Sequence, residues 1–254
     1  EVALIEDDQR KNEFLATHGH ELRNPLAPVR NSLQILRLTG QEGTVRERVA
    51  DTIERQVVHM VRLVDDLLEV SRITRGKVEL RKELVDVRTI VQSTVDSSMP
   101  AITAPGCSLA VEAPAEPLII EADPVRLAQV LANLLTNAAK YTERGGSITV
   151  SARAGTGGPA ELEPKVRDTG AGIPKDMLPR VFDLFTQVDR TLGRAQGGLG
   201  IGLAIVRSLV LQHGGRVEAR SEGPGQGSEF IVRLPMVTSR PPASTAGEQA
   251  AQQL

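Results

Sequence analysis

Apolar residues recur at helical spacing through the first third of the chain. Phe14, His18, Leu22, Val29, Leu33 and Leu36 follow one another at intervals of three, four or seven, which predicts a helix from Asp7 to Arg37 with these side chains on roughly one face. Pro25 and Pro28 interrupt it; each removes an amide donor and crowds the preceding turn, so a bend is expected near residues 21–25. Thr39–Gly43 reads as a loop. A second stripe, through Val45, Val49, Ile53, Val57, Met60, Val64, Leu67 and Leu68, predicts another helix from about Thr44 to Ser71, its charged positions in water. Two helices with one stripe each do not close a core alone. The pair is expected to meet the hairpin of a second chain as a four-helix bundle, the alternative being that the stripes pack on the rest of the same chain.

After Ile73-Thr74-Arg75-Gly76-Lys77 the pattern shortens. Val78–Leu84, Ser108–Glu112, Leu118–Ala122, Ser147–Ala154, Glu163–Asp168, Arg216–Ser221 and Glu229–Leu234 read as strands. Val87–Met99, Pro124–Lys140 and Gly202–Gln212 read as helices. This mixture predicts an α+β chain of two domains: a helical hairpin over residues 1–76 and an α/β sandwich over 77–235. Residues 236–254, with Pro-Pro-Ala-Ser-Thr-Ala-Gly-Glu-Gln and little apolar material, read as a linker or flexible tail, which leaves room for a further domain beyond it.

Composition narrows the chemistry. The single cysteine, Cys107, excludes an internal disulfide framework and a thiolate zinc cluster, and the four histidines have no zinc-protease spacing. A net charge of −2 with both signs mixed along 254 residues leaves no extended footprint for nucleic acid. No apolar run approaches the roughly 20 residues that cross a bilayer, and the start lacks the pattern of a secretion signal. The chain therefore reads as a cytoplasmic piece, open to a membrane anchor in an N-terminal region absent from this sequence.

Three features of the second domain point together to a nucleotide. Asn133 and Asn137, four apart on one helix, project their amides to the same side, where their oxygens suit Mg²⁺ bridged to phosphate. Lys140 follows with a positive charge for phosphate, and Tyr141 with a ring that can stack on a base. Asp168 ends a strand and can accept a hydrogen bond from the exocyclic amine of adenine, while Gly170 and Gly172 let the backbone approach the ring. Gly198, Gly200 and Gly202 open the last helix, where exposed amides favour phosphate. Their Gly-x-Gly-x-Gly spacing after the polar residues 189–196 fits neither a dinucleotide fingerprint nor a Walker loop. Phe182 and Phe185 read as core residues anchoring Thr186–Gln196 as a movable lid, and Gly223–Ser228 as a simple turn.

In the first helix, His20 lies roughly 160° from Leu22 and so points away from the apolar stripe, as an imidazole that attacks phosphorus must. Glu21 can orient the ring or take its proton, and Asn24, one turn on, can position water for loss of phosphate. His18 shares the inward stripe and reads as a packed histidine beside the helix-weakening Gly19.

Phe14-Leu15-Ala16, His20-Glu21-Leu22-Arg23-Asn24-Pro25-Leu26, Asn133–Tyr141, the Asp168 glycine motif, Phe182–Phe185 and Gly198–Gly202 stand in the order that the transmitter core of bacterial sensor histidine kinases presents. The chain resembles that family from about Lys11 to Pro235. The resemblance implies a two-component signalling transferase: a dimeric helical hairpin, then the ATP-binding sandwich shared with gyrase and the Hsp90 chaperones. It implies His20 as phosphoacceptor, Glu21 and Asn24 in kinase and phosphatase chemistry, Asn137 as principal Mg²⁺ ligand assisted by Asn133, and Asp168 on adenine. It also implies an upstream sensory domain and a response-regulator receiver domain, separate or fused C-terminally, whose aspartate takes the phosphate. His18-Gly19 departs from the family pattern, which has an apolar residue followed by Ser or another small residue there. An ATP-binding signalling scaffold without catalysis and a related non-kinase ATPase are the alternatives.

Overall fold

A computed structural model describes residues 26–39, 43–74, 79–103, 106–155, 161–187 and 200–236. Two helices, α1 (Leu26–Thr39) and α2 (Gly43–Thr74), pack along each other as a hairpin, with Ser32 and Val49 buried. The single stripe expected on α2 divides into two. Leu63 is only 4% exposed and belongs to the core of the second unit, with Leu67 packed against it. Val57, Val61, Val64 and Leu68, spaced four, three and four, remain exposed, as do Leu33 and Ile35 on α1. Successive residues stand about 100° apart around a helix, so these are two faces of one rod. Part of α2 thus packs on the rest of the same chain, while another face stays bare. No helix among the described residues is long and apolar enough to cross a membrane.

The second unit runs β1 (Glu83–Asp86), α3 (Val87–Thr103), β2 (Ser108–Glu112), β3 (Ile119–Ala122), α4 (Pro124–Tyr141), β4 (Ser147–Ala154), β5 (Glu161–Asp168), a 3-10 turn (Leu178–Arg180), α5 (Gly202–Gln212), β6 (Arg216–Arg220) and β7 (Ser228–Pro235). Five strands form one sheet in the order β2-β4-β5-β7-β6, with β2 parallel to β4 and the other neighbours antiparallel. β1 and β3 make a separate antiparallel pair. The first strand is shorter than the Val78–Leu84 pattern suggests and sits later. Its partner β3 offers only the register from Glu83 opposite Ala122 to Asp86 opposite Ile119, and Arg81 instead donates its amide to Asp123 Oδ2 at 2.9 Å.

One face of the sheet is dry. Leu127, Val130, Leu131, Leu134, Leu135 and Ala138 of α4 are buried in one core cluster with Ile205, Val206, Leu209 and Val210 of α5. Ile148, Val150, Leu162, Val166, Phe230, Val232 and Leu234 belong to the same cluster. Each large side chain removed from water contributes about 1.5–3 kcal/mol, which makes this layer the main source of stability. The opposite face carries charge. Arg153, Lys165 and Arg233 pair with Glu163, and Arg220 and Arg233 with Glu218. Lys165 and Glu218 flank Ile231, which is fully buried yet stands outside the main cluster. Burial pushes the Glu163 carboxyl up, but Lys165, Arg153 and Arg233 together hold it below the ordinary range.

Helix α4 starts where Asp123 accepts the amides of Val125 and Arg126, both at 3.1 Å, with Pro124 in the first turn where its missing donor costs nothing. Asp123→Ala should lower stability by about 1–2 kcal/mol, read from chemical denaturation. Asp123→Asn, which keeps a capping oxygen, should retain most of it. Equal losses in the two variants would show that capping is not what Asp123 contributes.

Candidate functional site

Asn133, Asn137 and Tyr141 follow one another four residues apart and form a ridge about 12 Å long on α4, at 1.5 Å per residue. The neighbouring positions Leu134, Leu135 and Ala138 are buried, which turns the two amides away from the core while leaving them half-buried. At one end of the ridge Asn133 Nδ2 lies 3.5 Å from the carbonyl oxygen of Gly202, the first residue of α5. Gly200 holds φ +66° and accepts the amide of Phe185 at 3.0 Å; a side chain on it would meet the Phe185–Thr186 backbone within 3 Å. Phe185 itself has φ 67°, a conformation that costs a non-glycine residue about 1–2 kcal/mol. Phe182 meets Phe230 edge to face at 6.2 Å, so both phenylalanines root this segment in the core.

At the other end, the Tyr141 carbonyl accepts the Ala171 amide at 3.0 Å. Lys140 Nζ lies 4.8 Å from the Tyr141 ring centroid, a cation–π contact. Asp168 is 4% exposed; Oδ1 accepts the Gly170 amide at 2.8 Å and Oδ2 the Ser228 hydroxyl at 2.5 Å. A carboxylate has about four acceptor positions, so two remain for a ligand N–H. Gly170 must be glycine, because a Cβ there would lie 2.3 Å from the Tyr141 carbonyl oxygen. At Gly172, with φ +69°, a Cβ would likewise lie 2.1 Å from the Gly223 carbonyl oxygen.

That last contact belongs to a set that the sequence reading missed. The turn between β6 and β7 is no mere connection: Gly225 and Gly227 donate to the carbonyls of Ala171 and Gly170 at 2.7 and 3.1 Å, and Ser228 holds Asp168. Ser221 joins them, accepting the Ile173 amide and donating to the Gly227 carbonyl. The signal was the run Gly223-Pro224-Gly225-Gln226-Gly227, whose three glycines all take positive φ. A hairpin needs fewer; the extra ones follow the Asp168 loop.

The structure therefore brings Asp168, Gly170, Gly172 and Tyr141 together at one end of the ridge, and Asn133, Gly200 and Gly202 at the other, with Asn137 between. Gly198, His20, Glu21 and Asn24 lie outside the described residues, as do His18 and most of the expected lid. Among the described residues no group of three or more His, Cys, Asp or Glu side chains could hold a metal. Neutral amide oxygens alone suit Mg²⁺, which keeps its waters and binds mainly through phosphate. Thr142, next to Tyr141, keeps a buried hydroxyl without a partner among the described residues, which a water or ligand atom can satisfy.

Comparison with known proteins agrees with this geometry. Residues 122–238 match the family described as histidine kinase-, DNA gyrase B-, and HSP90-like ATPase, and residues 10–76 match the His Kinase A (phospho-acceptor) domain. The chain is 35% identical over 235 residues to the sensor protein DivL of Caulobacter vibrioides, covering 92% of the chain and 29% of that protein. It is 34% identical over 226 residues to the signal transduction histidine-protein kinase BarA of Escherichia coli K12, covering 88% of the chain and 24% of that protein. It thus spans less than a third of the length of either relative. Full-length ShkA, solved in complex with AMPPNP, is similar with a TM-score of 0.66 and 33% identity over 91% of this chain and 47% of that one.

Gly225 and Gly227 both take φ near +70°, but only at Gly227 would a Cβ collide with backbone, 2.1 Å from the Asp168 carbonyl oxygen. Gly225→Ala should cost about 1–2 kcal/mol of left-handed strain. Gly227→Ala should cost clearly more. Melting temperatures of the two variants decide this; an equal drop would mean that the turn does not brace Asp168.

Proposed function

The chain belongs to the sensor histidine kinases, pairing a phosphoacceptor hairpin with their ATP-binding unit, and on that premise we propose that it transfers the γ-phosphoryl group of ATP to His20. An aspartate on a response-regulator receiver domain is the onward acceptor. The observation that carries the reading is the ridge of Asn133, Asn137 and Tyr141, closed at one end by the Asp168 loop and at the other by the glycine entry to α5. The AMPPNP bound by the similar ShkA supports a nucleotide there.

Asp168 receives the exocyclic amine of adenine, with Gly170 and Gly172 lining the ring. Asn133 and Asn137 hold Mg²⁺ through their amide oxygens. Bound Mg²⁺ supplies neutralisation of phosphate charge. Lys140 adds a positive charge beside the phosphates once it leaves the Tyr141 ring. A lone-pair nitrogen of His20 forms the new bond to phosphorus as the bond from phosphorus to the β,γ-bridging oxygen breaks and ADP departs. Glu21 takes the proton that the other ring nitrogen gives up, and Asn24 holds the water that later removes phosphate. Positioning and charge provide most of the acceleration, since little covalent chemistry falls to the protein. The bare stripe of Val57, Val61, Val64 and Leu68, with Leu33 and Ile35, is the surface through which two hairpins pair as a four-helix bundle.

Incubation with γ-labelled ATP should place an acid-labile phosphate on His20. Label that persists in His20→Gln would overturn the assignment. Asn137→Ala should reduce labelling by at least about 10–100-fold, the loss that removing even an outer partner of a metal site causes, with the dimer intact by light scattering. Normal labelling in that variant would remove Asn137 from the metal site.

A further inference from the structure

His213 closes α5 and is 4% exposed. Its Nδ1 lies 2.8 Å from the Leu209 carbonyl oxygen, and its Nε2 accepts the Asp123 amide at 3.0 Å. A carbonyl can only accept and an amide N–H can only donate. The imidazole is therefore held neutral, in one tautomer, with its proton on Nδ1.

Asp123 gathers the surrounding pieces. Its carboxylate caps α4 through Val125 and Arg126 and holds the Arg81 amide of the segment entering β1. One residue group further on, Arg126 donates to Glu69 of α2 at 2.8 Å, and Glu69 is 6% exposed. The same two helices that His213 joins meet again at Asn133 and Gly202, about 16 Å away along α5. Helices α4 and α5 thus form a frame with one joint at His213 and the other at the phosphate end of the nucleotide site.

We propose that neutral His213 is a positioning residue for nucleotide binding: it locks the joint between α5, the capped start of α4 and the hairpin contact, and its protonation opens that joint. A second proton would place an N–H on Nε2 against the Asp123 N–H, replacing a hydrogen bond with two donors face to face. The charged groups that face the ring are Lys82, which opposes protonation, and Asp123, which favours it. Burial dominates and, with Lys82, holds the imidazole below its ordinary value against the pull of the Leu209 carbonyl and Asp123. The unfolded chain then binds more protons than the folded one as pH falls through about 6.5, so the stabilisation is complete above that value and lost below it.

The inference rests on the ATP-binding reading, so its test is built to separate the two. Mg²⁺-dependent binding of a fluorescent ATP analogue is measured at about pH 7.5 and pH 5.5, on either side of the ordinary imidazole value. The whole chain is used as wild type, His213→Gln and His213→Leu, with the helical signal recorded for each. Glutamine keeps an acceptor for the Asp123 amide but does not titrate. It should bind like wild type at the higher pH and also absorb any effect of the analogue's own phosphate titration. Relative to His213→Gln, the wild-type Kd should rise measurably at the lower pH, by less than the roughly tenfold that an imidazole of ordinary value would allow between the two, because burial delays its protonation. His213→Leu should bind at least about fivefold more weakly than wild type at the higher pH. A wild type that tracks His213→Gln at both values overturns the proposal, as does a folded His213→Leu that binds like wild type. A wild type without binding at either pH instead removes the nucleotide reading beneath it.

Discussion

The second unit depends on one helix having two incompatible faces. Helix α4 must bury Leu127, Val130, Leu131, Leu134, Leu135 and Ala138 against the sheet and α5, and this burial fixes its rotation. Once that rotation is set, Asn133, Asn137 and Tyr141 fall along the flank of the buried face, the two amides half-buried and Asn133 beside the start of α5. Their placement costs no separate device, because hydrophobic packing is strong and non-directional while the amides are merely carried along. The Asp123 cap fixes where the helix begins, and the contact of Asn133 with Gly202 fixes how far α5 stands from it.

Much of this was legible in the sequence because it is periodic or punctuated. The alternating strands and the apolar helix stripes gave nearly every element of the second unit, and the glycines around Asp168 and before α5 marked both ends of the site. Register was not legible. Nothing in Val78–Leu84 reveals that β3 can pair with only four residues, or that Arg81 is needed elsewhere. The hairpin misled in a different way. A stripe counted at three- and four-residue steps merges faces 100° apart, so Val64 and Leu67 read as one surface although Leu67 packs on the second unit and Val64 is bare.

The residues that were missed share a cause. Ser228, Gly227 and Ser221 act on the Asp168 loop from about 50 to 60 positions away, the two serines through their hydroxyls and Gly227 through its backbone amide. Sequence reveals them only indirectly, through glycines that no simple hairpin requires. His213 is the same kind of case, since its role comes from a carbonyl four residues back and an amide 90 residues away.

The division of α2 into two faces has a mechanical consequence. Leu63 and Leu67 are seated in the ATP-binding unit, while Val57, Val61, Val64 and Leu68 form a separate line a quarter-turn or so around the same rod. A stiff helix cannot turn one line without turning the other. Torque applied anywhere along α2 therefore moves the seated line and the bare line together, and the helix works as a crankshaft: turning the bare face displaces Leu63 and Leu67 from their seat.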